Sequence, residues 1–142
     1  MDDVVVTAAR RFVETFIKAG KRDSYLKLLA RQRTYSSFVE QLDHLRWLDN
    51  RLAAPVLRHQ QHTWQIEELL RNNGAPETCV VVSADPRDCG SMSLRQALTS
   101  VVGGGYGAIV SCIEGELAYY EAEEPFSRFL CRVNHARDLH RT

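Results

Sequence analysis

No run of apolar residues in this chain approaches the ~20 positions that a membrane-spanning helix needs. Charge of one sign is missing too: 18 Lys and Arg balance 18 Asp and Glu among 142 residues, whereas single domains that hold nucleic acid through phosphates are strongly basic. Cysteine is scarce. The four present (Cys79, Cys89, Cys112 and Cys131) are too few for a disulfide scaffold, and none form a Cys-x-x-Cys pair. A secretory signal starts positive and carries a long apolar centre. Here Met1-Asp2-Asp3 is acidic and the apolar run behind it stops at Ala9, so a cytoplasmic protein is expected. The chain holds no internal repeat, no His-Glu-x-x-His pattern and no phosphate loop in the right context. Neither a cofactor nor a metal is therefore expected.

What is present suits an ordinary globular protein. The chain is 44% hydrophobic and 25% charged, near the averages that separate folded domains from disordered or fibrous ones. Its length fits one α+β domain over 1–142, with a helical part at about 1–74, a sheet part at about 77–134 and a tail, 135–142, expected to be disordered. Residues 1–75 carry 12 basic and 9 acidic side chains, a charge of +3, and residues 76–142 carry 6 and 9, a charge of −3.

Hydrophobic period divides the chain at the same place. Val5, Ala9, Phe12, Val13, Phe16 and Ile17 fall on one face of a helix over residues 4–18, with Gly20 placed to end it. Asp23 is a good N-cap for a second helix burying Tyr25, Leu28 and Leu29. A third starts near Thr34 and turns Tyr35, Phe38, Val39 and Leu42 inward. Residues 46–58 resist assignment because Pro55 disfavours helix at Ala54. A helix over residues 63–72 has Trp64, Ile66, Leu69 and Leu70 as apolar positions and stops before Gly74 and Pro76.

From Cys79 the period changes. Cys79–Ser83 reads as a strand buried on both faces, and Ser93-Leu94-Arg95-Gln96 as a capping box opening a helix that Gly103-Gly104-Gly105 ends. Residues 108–113 and 116–122 form a hairpin around Glu114-Gly115, and residues 128–133 a last strand. The expected fold is α+β, a helical N-terminal half packed on a small mixed sheet of β-α-β-β-β order. In it the first two strands are joined by a right-handed parallel crossover.

Of the candidate sites, the segment from Ser83 to Ser91 resembles one most. It follows a strand and precedes a helix start, and it gathers Asp85, Arg87, Asp88 and Cys89, with Asp85 or Asp88 as acid/base and Cys89 as nucleophile. The same residues are ordinary turn and capping chemistry, and none of the five histidines is tied to Cys89 by a known signature. His59 and His62 would share a helix face but read better as surface histidines than as metal ligands. Gly103-Gly104-Gly105-Tyr106-Gly107 closes a helix instead of opening one, the wrong polarity for phosphate, so helix termination and close backbone packing account for it.

Two surfaces remain. Lys18, Lys21, Arg22, Lys27, Arg31 and Arg33 cluster near a helix junction and suit nucleic acid, but the neutral chain and the core-facing Tyr25 and Tyr35 favour a solvated face. Glu114, Glu116, Glu121, Glu123 and Glu124 surround Tyr119 and Tyr120. Strand alternation leaves one tyrosine exposed beside carboxylates, here Tyr120, in a surface fit for a basic partner or for protecting a sheet edge. The expectation is a small binding or regulatory domain acting through a protein partner or self-association. A small-molecule site or enzyme at Asp85–Ser93 is the alternative, and nucleic-acid binding a weaker one.

Overall fold

Successive residues of the central strands face two different helical layers, so both sheet faces are buried. Val82, Ile109, Ala118, Tyr120 and Cys131 pack against the first layer, and Val81, Val110, Leu117 and Tyr119 against the second. The computed structural model describes residues 3–133; the tail expected at 135–142 lies outside them.

The first layer is α1 (Asp3–Phe16), α2 (Arg22–Leu29) and α3 (Gln32–Gln41). In α1 Val5, Ala8, Ala9, Phe12, Val13 and Phe16 are buried, at the helical spacing expected. Asp23 does not cap α2. It lies inside the first turn, and Lys21 precedes the helix without a side-chain cap bond. The second layer is α4 (Thr63–Asn72) and α5 (Leu94–Val101). In α4, Ile66 and Leu70 are buried while Trp64, expected among the apolar positions, is 64% exposed. Ser93 caps α5 by accepting from the Gln96 N–H at 3.1 Å, which is one half of the expected capping box; Gln96 makes no return bond to the Ser93 backbone.

The sheet contains β1 (Ala53–Pro55), β2 (Thr78–Ser83), β3 (Gly90–Ser93), β4 (Ala108–Ile113), β5 (Leu117–Glu121) and β6 (Arg128–Arg132), in spatial order β1-β6-β5-β4-β2-β3. The α+β class and the helical N-terminal half stand. The expected parallel crossover does not, because every pairing is antiparallel. An unforeseen strand is the reason: β3 folds back on β2 before α5 begins, so the helix returns the chain to the top of the sheet and β4 descends beside β2. The other added strand, β1, carries Pro55 on the sheet's edge, where a missing N–H breaks no ladder.

The segment between α3 and β1 is tied across the molecule. Lys18 and Asp49 donate backbone N–H bonds to Trp47 and Phe16 carbonyls at 2.8 Å each. The Tyr120 hydroxyl donates to Leu42 O at 2.5 Å and accepts from Leu45 N–H at 2.9 Å. Gly107 permits the closest approach, since a Cβ there would fall 2.0 Å from Leu42 O. Its N–H donates to Asp43 Oδ1 at 2.8 Å. No helix among the described residues is long and apolar enough to cross a membrane.

Candidate functional site

The loop between β2 and β3 uses its polar side chains on itself. Asp85 closes a 3-10 turn over Pro86–Asp88 by accepting the Arg87 N–H at 3.0 Å, and it also holds the Arg87 guanidinium at 2.7 Å. That guanidinium keeps the Asp85 carboxyl down at about 2. Asp88 accepts the Tyr106 hydroxyl at 2.7 Å, a bond that pushes Tyr106 up to about 12. Cys89 is half-buried, its sulfur 3.3 Å from Ser83 N and 3.4 Å from Ser83 O. The loop leads into β3 instead of into a helix N-terminus, so the anion-attracting geometry expected of it is not formed.

The other three thiols are buried in strands, as their apolar neighbours predict, and burial raises Cys79 to about 11 and Cys112 to about 12. His59 lies in a 3-10 turn and His62 precedes α4, so they share no helix face. Among the described residues no three His, Cys, Asp or Glu side chains are grouped to hold a metal ion.

The basic candidates divide between separate elements. Lys21, Lys27, Arg31 and Arg33 are exposed, whereas Arg22 is half-buried and donates from Nε to Ile17 O at 2.8 Å. Lys21 Nζ sits 4.3 Å from the Trp47 ring centroid. Tyr25 is buried, and both Tyr25 and Tyr35 lie 6.3 Å from the Phe38 ring, so these tyrosines pack within the first layer.

The acidic surface differs from expectation. Tyr119 and Tyr120 are both 1% exposed and Glu121 is 2% exposed, because helices cover both faces of β5. Glu116, Glu123 and Glu124 stay exposed, but Glu116 is at the opposite end of β5, on the order of 20 Å from Glu123. What remains is the β5–β6 turn with Glu123 and Glu124.

That turn is built on a buried polar frame. Glu121 accepts from the Tyr119 hydroxyl at 2.6 Å and the Gly103 N–H at 2.9 Å, with Arg128 Nε at 3.4 Å. Burial raises the Glu121 carboxyl; the Tyr119 bond and Arg128 oppose it. Arg128 Nη1 donates to Gln61 O at 3.1 Å, and Gln61 Nε2 donates to Val56 O at 2.8 Å and Phe126 O at 3.0 Å. Gln61 thus clamps the turn to the corner leading into α4.

The frame displays apolar side chains. Phe126 has φ of 66°, the only non-glycine at positive φ among the described residues, and is 47% exposed. The Arg58 guanidinium lies 4.0 Å from its ring centroid. On the same corner Leu57 is 56% exposed, and Gln60 lines a groove with the exposed Trp64. Across the turn a cleft of about 440 Å³ runs between Glu124 and Ser127 on one side and His44 and Arg46 on the other. Its base includes Phe129 and Tyr120, whose rings stack 6.1 Å apart.

The sequence pointed to Glu123, Glu124 and, as an exposed ring, Tyr120, which is instead buried; it did not point to Leu57, Arg58, Gln61, Trp64 or Phe126. One signal was available for Trp64: at 100° per residue it lies about 200° from Ile66, off the apolar stripe. Compared with known proteins, the chain matches no family model, no curated protein and no solved structure.

Proposed function

We propose that this chain is a binding domain that acts, without catalysis, by docking another polypeptide at the end of the sheet bearing the β5–β6 turn. The observation that carries the reading is Phe126: an exposed aromatic ring held in a left-handed backbone by the buried Gln61 clamp. A bulky residue at positive φ costs roughly 1–3 kcal/mol, and such strain concentrates at ligand-contacting positions. Leu57 and Trp64 extend the apolar display, and Glu68, Glu123 and Glu124 add acid near it. Apolar anchors with a charged margin suit a partner segment carrying apolar and basic side chains. A cytoplasmic setting, which keeps thiols reduced, suits the buried thiols of Cys79, Cys112 and Cys131. A small-molecule or catalytic role for Asp85–Ser93 has less support, because Asp85 and Asp88 are engaged by Arg87 and Tyr106.

Phe126→Gly tests the reading, since glycine accepts the turn's backbone and removes only the ring. Random peptides displayed on phage and selected on the immobilised chain are expected to enrich sequences rich in basic and apolar residues. Those peptides should bind the variant at least roughly tenfold more weakly, as loss of an aromatic anchor does. No enrichment, or equal binding to both proteins, would overturn the proposal.

A further inference from the structure

Resting on that reading, the geometry points to a second copy of this chain as the occupant of the cleft, paired about a two-fold axis. The two walls of the cleft are opposite in charge: Arg46 makes one positive, and Glu124, with Glu123 beside it, makes the other negative. Arg46, Glu123 and Glu124 are exposed, and none makes an ion pair with another charge of the described chain. The base between the walls is apolar, with Phe129 over the buried Tyr120.

A patch positive on one side and negative on the other complements itself after rotation by half a turn. Arg46 of one copy then meets Glu124 of the other, and the same contact recurs across the axis, which is the isologous arrangement of two-fold dimers. The chain's formal net charge of zero leaves no long-range repulsion between copies. The Phe129 ring that lines the cleft of each copy gives the pairing an apolar element besides charge.

Sedimentation velocity on three variants tests this. The wild type is expected at twice the chain mass of 16.2 kDa at high concentration, shifting toward monomer as salt is raised. Arg46→Glu places like charges opposite at both contacts, and Glu124→Arg does the same with the other sign; each should weaken pairing roughly 100-fold. An equimolar mixture of the two variants restores opposite charges at both contacts and should dimerise, as should the double variant R46E/E124R, which also shows that the substituted chain folds. A wild type monomeric at its highest soluble concentration would overturn the pairing, as would single variants that dimerise like the parent. If peptides still bind the wild type and not Phe126→Gly in that case, the pairing alone falls and the docking surface stands.

Discussion

Phe126 carries two unfavourable features at once, a backbone disfavoured for a bulky residue and a ring left half in water, and against them stand the Gln61 bond to its carbonyl and the Arg58 contact with its ring. Neither was legible in Glu123-Glu124-Pro125-Phe126-Ser127, where the sequence shows a turn but not which central residue turns left-handed. The carboxylates were legible as a group, yet Glu121 joined the core because alternation places it beside Tyr119 under α4 and α5. The cysteines behaved as their neighbours predict, which yields a test at this scale. With a thiol reagent at neutral pH, Cys89 is expected to react first. Cys79, Cys112 and Cys131 should follow only at the rate of opening of the sheet, since burial both blocks them and raises their thiols. Mass spectrometry of the labelled peptides gives the order, and equal rates at all four would contradict the burial described.

Helices with a clear stripe and strands with β-branched runs were readable as elements. α4 falls at the residues expected and α5 begins at its capping serine. β3 was not readable. Gly-Ser-Met-Ser has neither alternation nor β-branched side chains, and its pairing with β2 comes from position at the sheet edge. That one missed strand inverted the inferred direction of β4, since each added reversal of the chain exchanges parallel for antiparallel. Gly107 shows a similar dependence on distant structure: its need for no side chain is set by Leu42 and Asp43, more than 60 residues earlier. Gly107→Ala is expected to lower the unfolding free energy by about 2 kcal/mol or more, because rigid backbone and not a flexible side chain occupies the space. Urea unfolding checks this, and a loss below ~0.5 kcal/mol would show that the 42–47 segment shifts freely.

At the scale of the molecule, the segment between α3 and β1 is what joins the first layer to the sheet, and Asp49 is its buried charged group. It is 5% exposed, accepts from Arg51 N and Nε at 3.0 and 3.1 Å, and its carboxyl is held down at about 2 by the Arg51 side chain against the opposing effect of burial. A carboxyl lowered by folding contributes stability above its unfolded value of 3.8 and loses it as pH falls toward 2. Asp49→Asn should therefore cost about 1–2 kcal/mol at pH ~7 and almost nothing near pH ~2, read from chemical unfolding at both. A pH-independent difference would refute the assignment. Glu121 has the opposite sign: burial raises it, so its contribution is full below the ordinary carboxylate value and shrinks as pH rises through its folded value. What the sequence determined by itself was local: the period of each long element, the reversal at Glu114-Gly115, the end of α5 in glycines and the absence of a membrane-length helix. These follow from neighbours within a few positions. Only the tertiary structure decided the antiparallel order, the burial of both tyrosines and Glu121, and the meeting of residues 44–46, 57–64 and 123–129 at one end of the sheet. Those depend on which distant segments compete for the same apolar face, and that competition is resolved only when the whole chain packs.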